Sequence, residues 1–158
     1  MTYFLINILL AFLWASFQAF RPLDMLTGFA LGYGIIWLTR AWLGEDAARY
    51  VWRIPRFLFF LGYYFVELFT STLVVVRALF QSQSALRPGI VGYPLEARTE
   101  LEIVLLNNLL VLTPGTLGVA LSEDRRTLYI HFLYVPDAEL VRQRIRNGLE
   151  KRLLEVLR

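Results

Sequence analysis

The chain has 158 residues, enough for one ordinary domain or a small helical bundle with a small domain beside it. It is 57% hydrophobic with a mean hydropathy of +0.52, and its apolar residues crowd toward the N-terminus, a membrane signature rather than that of a soluble core. The absence of cysteine excludes disulfides, thiolate metal sites and cysteine nucleophiles; the net charge of +3, carried almost wholly by arginine, fits anionic lipid headgroups at least as well as nucleic acid.

Three apolar runs come first. Residues 3–20 hold 18 residues without a charge, residues 25–39 hold 15 that Leu23 extends, and residues 57–76 hold 20 with one ionisable group, Glu67. A span needs about 20 residues, within a range of about 17 to 25. The third run meets that length, the first meets it, and the second is short. The first run has no positive n-region or cleavage site and is not read as a signal peptide. The linker RPLD (21–24) allows only a tight hairpin, with Arg21 and Asp24 paired at the interface. Ala11, Ala15 and Ala19 repeat every four residues on the first helix, and Gly28 and Gly32 form a GxxxG on the second; such stripes let helices approach closely in lipid. Helices are thus expected over about 3–20, 23–39 and 57–77, in a membrane-embedded part ending near residue 80. The loop 40–56 carries Arg40, Arg49, Arg53 and Arg56, with Trp42, Tyr50 and Trp52 as interfacial anchors, while Arg77, Arg87 and Arg98 follow the third run. The positive-inside rule places both arginine clusters in the cytoplasm, which one spanning helix between them forbids. Either one cluster is an exception, or one run fails to cross.

Beyond a polar linker at 81–89, residues 90–158 read as a small α+β domain. Residues 90–97 form a strand, and Pro94 makes it an edge strand. Thr99 with Glu102 forms a capping box that opens a helix over 99–112, apolar nearly all round and too short to cross. The turn TPGT (113–116) ends it, with Gly115 supplying a positive φ if the turn is of type II. Two period-two strands joined by SEDRR then make a hairpin. Leu117, Val119 and Leu121 line one face of its first strand, against the small Thr116, Gly118, Ala120 and Ser122 on the other, to which the helix packs closely. Leu128, Ile130, Phe132 and Tyr134 form the apolar face of the second strand. Residues 136–158 form one amphipathic helix capped by Asp137, with Val141, Ile145, Leu149 and Leu153 as its stripe. Its six basic and four acidic side chains alternate without an aromatic platform, the pattern of a solvated face leaning on anionic lipid rather than of a nucleic-acid site. The expected fold class is an α-helical membrane part of two to three transmembrane helices, the first two a tight hairpin, followed by an α+β domain of order strand–helix–strand–strand–helix.

Catalytic constellations are nearly absent. His131 is the single histidine and reads as a sheet residue, and TPGT lacks the glycines and lysine of a phosphate loop. No enzyme, metal site or cofactor is expected. Glu67 is the sharp candidate, because a carboxylate deep in an apolar run usually faces a bundle interior and often serves a cation or proton pathway. The plainer reading is a protonated Glu67 bonding a neighbouring helix through Tyr63, Tyr64 or Ser71.

An Asn, an apolar run, LTPGT, a short strand, SEDRRTLYIH and a terminal amphipathic helix together resemble the E subunits of the multisubunit monovalent cation/proton antiporters, the Mrp, Mnh or Pha complexes of bacteria. PGIVGYPLEARTELE (88–102) is similar to the family's approach to that motif. Asn108, Leu112, Thr113, Pro114, Gly115, Thr116, Leu128, Tyr129, Ile130 and His131 match the pattern residue by residue, whereas Leu109 and Val111 stand where the family has hydroxyl residues. The resemblance implies an accessory subunit in the bacterial inner membrane, multi-pass, with its C-terminal domain cytoplasmic. Its partners would be large complex-I-like subunits, small membrane subunits and the lipid bilayer, and the assembly would exchange sodium or another monovalent cation for protons. Two rivals are a stand-alone membrane-anchored adaptor and a small homo-oligomeric transporter built on Glu67.

Overall fold

The computed structural model describes residues 2–80 and 86–158. The first five residues of the expected linker, 81–85, lie outside the described residues. The chain gathers into two compact units, Met1–Leu58 and Phe59–Arg158.

The first unit contains α1 (Thr2–Ser16), α2 (Pro22–Leu43) and the start of α3 (Glu45–Leu79). All three helices differ in extent from the apolar runs. α1 stops at Ser16 rather than residue 20, because Phe17 and Gln18 donate to the carbonyls of Trp14 and Ala15 in tight three-residue steps, and Phe20 takes a positive φ of 57°. Pro22 then opens α2, where its missing N–H costs nothing. The Asp24 carboxylate accepts the Arg21 backbone N–H at 2.9 Å, so this pair caps a helix rather than joining two side chains. α2 continues past residue 39 to Leu43, since Arg40, Ala41, Trp42 and Leu43 give the helix no reason to end; Gly44, at φ 87°, ends it. Residues 45–56, expected as a loop, are helical: Glu45 and Asp46 sit in the first turn of α3, where the helix dipole favours acids. Pro55 lies inside that helix.

The second unit combines the rest of α3 with an α+β fold. Strands β1 (Gly89–Pro94), β2 (Thr116–Leu121) and β3 (Thr127–Phe132) form an antiparallel sheet in the order β1-β3-β2, so Pro94 does stand on an edge strand. A bulge falls between Gly118 and Ala120. Helix α4 (Glu100–Leu112) has the Thr99–Glu102 capping box at its start. α5 (Ala138–Ile145), capped by Asp137, passes through a π-helical turn at Arg146–Glu150 into α6 (Lys151–Leu157). The single helix expected over 136–158 is therefore interrupted by a π turn, whose Gly148, Leu149 and Glu150 are buried. Tyr93, Leu106, Leu110, Leu128, Ile130, Ile145, Leu149 and Leu153 form the core, which Phe60 and Tyr64 of α3 complete. Leu117, Val119 and Leu121 are exposed, and the small face of β2 turns toward α4: a Cβ on Gly118 would meet the Asn107 amide.

Candidate functional site

In the second unit, α3, the turn after α4 and α5 enclose a cleft of about 330 Å³. Glu67 lines it, three-quarters or more buried, and its Oε1 lies 2.8 Å from Nη2 of Arg144. The cleft thus meets its one lining carboxylate with a guanidinium, not with a second acid. Tyr63, one turn earlier, lines the same cleft; the Arg152 guanidinium stacks 4.1 Å from its ring centroid. Several arginines of the basic face of the C-terminal helices are engaged by the fold while their side chains stay partly exposed. Arg144 and Arg152 engage α3, Arg142 donates to the Gly92 carbonyl at 2.9 Å, and Arg146 lies 3.3 Å from the Glu96 carboxylate. Gly148 is the residue that admits Tyr63, whose hydroxyl occupies the space a Cβ would need.

Thr113, Pro114, Gly115 and Thr116 line the same cleft. Their hydroxyls act on the end of α4. The Thr113 hydroxyl donates to the Leu109 carbonyl at 2.9 Å, and that of Thr116 donates to Thr113 at 2.8 Å and to Leu110. The Tyr64 hydroxyl adds a bond to the Leu109 carbonyl at 3.0 Å. Carbonyls that a helix end leaves without partners are thereby satisfied, and Gly115 turns the chain with φ 88°. Asn108 is exposed; its neighbour Asn107 makes the sheet contact. His131 sits on the sheet face opposite the core, level with Ile90 and Leu117.

Two buried carboxylates tie the second unit together. Glu150 is fully buried and accepts hydrogen bonds from the Tyr93 hydroxyl and from the backbone N–H groups of Glu96 (2.8 Å) and Ala97 (2.9 Å). Burial, with the adjoining Glu150 carboxylate, raises the Tyr93 phenol far above its ordinary value, so it remains a donor. Glu102 accepts from the N–H groups of Arg98 and Thr99 and pairs with Arg158 at 3.0 Å. Those bonds, the Arg158 guanidinium first, hold its carboxyl down at about 2.

In the first unit, Ala11 and Ala15 are buried where α1 meets α2. A Cβ on Gly28 would come within 2.8 Å of the Trp14 Cβ, and one on Gly32 would collide with the Asn7 Oδ1. Ala19 is exposed and lies beyond the end of α1. The buried positions are instead Asn7, Ala11 and Ala15, one turn earlier. Asn7 donates to the Tyr50 hydroxyl at 2.7 Å, linking α1 to α3.

The sequence profile of the Na+/H+ ion antiporter subunit family matches residues 7–156. The chain belongs to that family. It is 32% identical over 154 residues to the E subunit of the Na(+)/H(+) antiporter of Alkalihalophilus pseudofirmus, covering 96% of each chain. It is likewise 32% identical to the corresponding E subunit of Bacillus subtilis over 156 residues, 98% of this chain and 97% of that one. Among solved structures, a chain of the Mrp complex from Dietzia sp. DQ12-45-1b is 31% identical with a TM-score of 0.51, over 65% of this chain and 96% of that one. A chain of the membrane-bound sulfane sulfur reductase, an archaeal respiratory membrane complex, shares the fold at 20% identity and a TM-score of 0.55, over 96% of each. The protein is thus a mostly helical membrane subunit of the antiporter E family, with one helix, α3, long and apolar enough to cross a bilayer by length and composition among the described residues.

Sequence reading of this E-family chain missed Asn7, Glu150, and the second role of Glu102. Asn7 left a signal, as the one amide in the first half of an apolar run, one turn before Ala11. Glu150 left a weaker one, the Asn147–Gly148 pair inside a helical pattern.

Proposed function

We propose that this chain is an accessory subunit of a multisubunit antiporter that drives sodium out of the cell against proton entry, and that it serves assembly rather than ion passage. The observation that carries the reading is kinship with Na+/H+ antiporter E subunits over residues 7–156. The Mrp complex to which a similar chain belongs supports further antiporter subunits as its partners. The chemistry is consistent: Glu67 is engaged by Arg144 and the Thr113–Thr116 motif closes a helix end, so the residues singled out are occupied in holding the unit together. The N-terminal apolar helices are the membrane anchor, with the α+β unit on the cytoplasmic side. The compact α+β unit needs no translocation there.

The test is a mild-detergent purification of a C-terminally tagged copy from its native membrane, with every co-purifying protein identified. Recovery with large multi-span antiporter subunits is expected. Recovery alone, under conditions that preserve other membrane complexes, would overturn the assignment.

A further inference from the structure

The second half of α3 has two faces of opposite character. Toward the α+β fold it presents Phe60, Tyr63, Tyr64, Glu67, Ser71 and Val75, spaced three or four apart, and each is buried or half-buried. This docking runs the whole way: Phe60 and Tyr64 join the core, Glu67 pairs with Arg144, and Val75 lies 3.2 Å from where a Gly115 Cβ would stand. From Phe60 to Val75 is about 22 Å of helix axis at about 1.5 Å per residue, most of the roughly 30 Å hydrocarbon thickness of a bilayer. Away from the fold the helix presents Phe59, Phe65, Val66, Phe69, Leu73 and Val76, all exposed, Phe59 by 80%. Arginine brackets the stripe, Arg56 before it and Arg77 after it.

We infer that this half of α3 does not cross the membrane but lies along its cytoplasmic surface, with the Phe59–Val76 stripe sunk at the boundary of headgroups and acyl chains and the α+β fold riding on its other face. Were the helix to cross, the fold docked along it would be drawn into lipid with it, including Arg144, whose side chain is 61% exposed, and the open backbone edges of β1 and β2. Hydrocarbon tolerates neither exposed charges nor unpaired strand edges. An in-plane helix has the opposite requirement, one continuous apolar face with cations at its margins, which is what the stripe and its flanking arginines supply. The arrangement also removes the conflict in the charge pattern. Arg40, Arg49, Arg53 and Arg56 before the run, and Arg77, Arg87 and Arg98 after it, all come to the cytoplasmic side once the run between them does not cross. Lipid, rather than another subunit, is the occupant because the stripe is uninterrupted by a hydrogen-bonding side chain other than threonines already bonded to their own helix.

The inference rests on the membrane-subunit reading only in requiring a membrane. The chain has no native cysteine, so Arg53→Cys and Arg77→Cys, each in the full chain within its native assembly, report sidedness directly. A membrane-impermeant maleimide should label both in inside-out vesicles and neither in right-side-out vesicles. Glu45→Cys and Arg98→Cys give an independent pair should either first variant fail to assemble. Labelling of the two flanks from opposite sides would overturn the proposal. A bimane on Phe69→Cys should be quenched by nitroxide-bearing phospholipid; absence of quenching with cross-linking to another subunit would replace lipid by protein and also overturn it. Recovery of the chain in the soluble fraction would sink the membrane reading itself, a distinguishable failure.

Discussion

The helices of the first compact unit meet through what their side chains leave out. Gly28 and Gly32 let α2 approach Trp14 and Asn7 of α1 to distances no Cβ would permit, and one amide, Asn7, reaches across to Tyr50. In the second unit the joints are charged. Glu150 gathers a phenol and two backbone donors, Glu102 joins the start of α4 to Arg158, and Glu67 joins α3 to α5. The difference follows from the surroundings each segment must satisfy. Between helices as apolar as α1 and α2, close packing of small residues is the available attraction. A small α+β fold with exposed sheet edges has loops and helix ends whose backbone groups need partners, and carboxylates supply several at once.

The largest expected effect comes from breaking the most heavily used of those carboxylates. Glu150→Ala leaves the Tyr93 hydroxyl and two N–H groups buried without acceptors, and should destabilise the second unit by about 3 kcal/mol or more, read as lost thermal stability and lost recovery of the chain in its assembly. A near-wild-type Glu150→Ala would show that this carboxyl group is not what joins the unit. Next comes Gly32→Ala, which forces a methyl onto Asn7 and should cost about 1–3 kcal/mol. Asn7→Ala in the same chain should recover part of that loss, whereas Gly34→Ala, with open space around it, should cost far less. Equal effects at Gly32 and Gly34 would contradict packing by close approach.

A smaller and pH-dependent effect belongs to Glu102. Its carboxyl is held at about 2 in the folded protein against an ordinary 4.5, so on acidification the unfolded chain takes up the proton first. Its contribution is therefore complete above pH 4.5 and disappears as pH falls toward 2. The melting temperature of the native chain should exceed that of Glu102→Gln near neutrality, and the gap should close across that window; a gap independent of pH would assign the effect to packing alone. Smallest of all is Arg49→Ala. It breaks an ion pair with Asp46 on the open face of α3, both side chains being about two-thirds exposed or more, and should leave the melting temperature unchanged within measurement.

Local features were the legible ones. The Thr99–Glu102 capping box, the positive φ of Gly115, the 116–132 hairpin, Pro94 on an edge and the Asp137 cap all follow from rules acting over a few residues. Helix limits were not, since a search for apolar runs halts at Arg40 and Arg56 although neither residue has reason to end a helix; Gly44 does. The stripe on α1 was displaced by one turn, to Asn7, Ala11 and Ala15, because the small-residue pattern looks past an amide. Of the candidate site, Glu67 was found from its place in an apolar run, but its partner Arg144 lies far along the chain, beyond the whole sheet. Likewise the Glu102–Arg158 and Tyr93–Glu150 links are set by tertiary geometry, and a π turn leaves no period of its own in the sequence.

The central claim is that this chain supports an antiporter without being one. Its most direct test is sodium-driven proton movement in vesicles carrying the complete assembly, the assembly lacking this chain, or this chain alone. Flux in the complete assembly, reduced or lost without the chain, and a signal from the chain alone equal to that of empty vesicles are the results predicted. Cation-dependent proton flux from the chain alone, abolished by Glu67→Gln, would contradict the account and make Glu67 the transport residue.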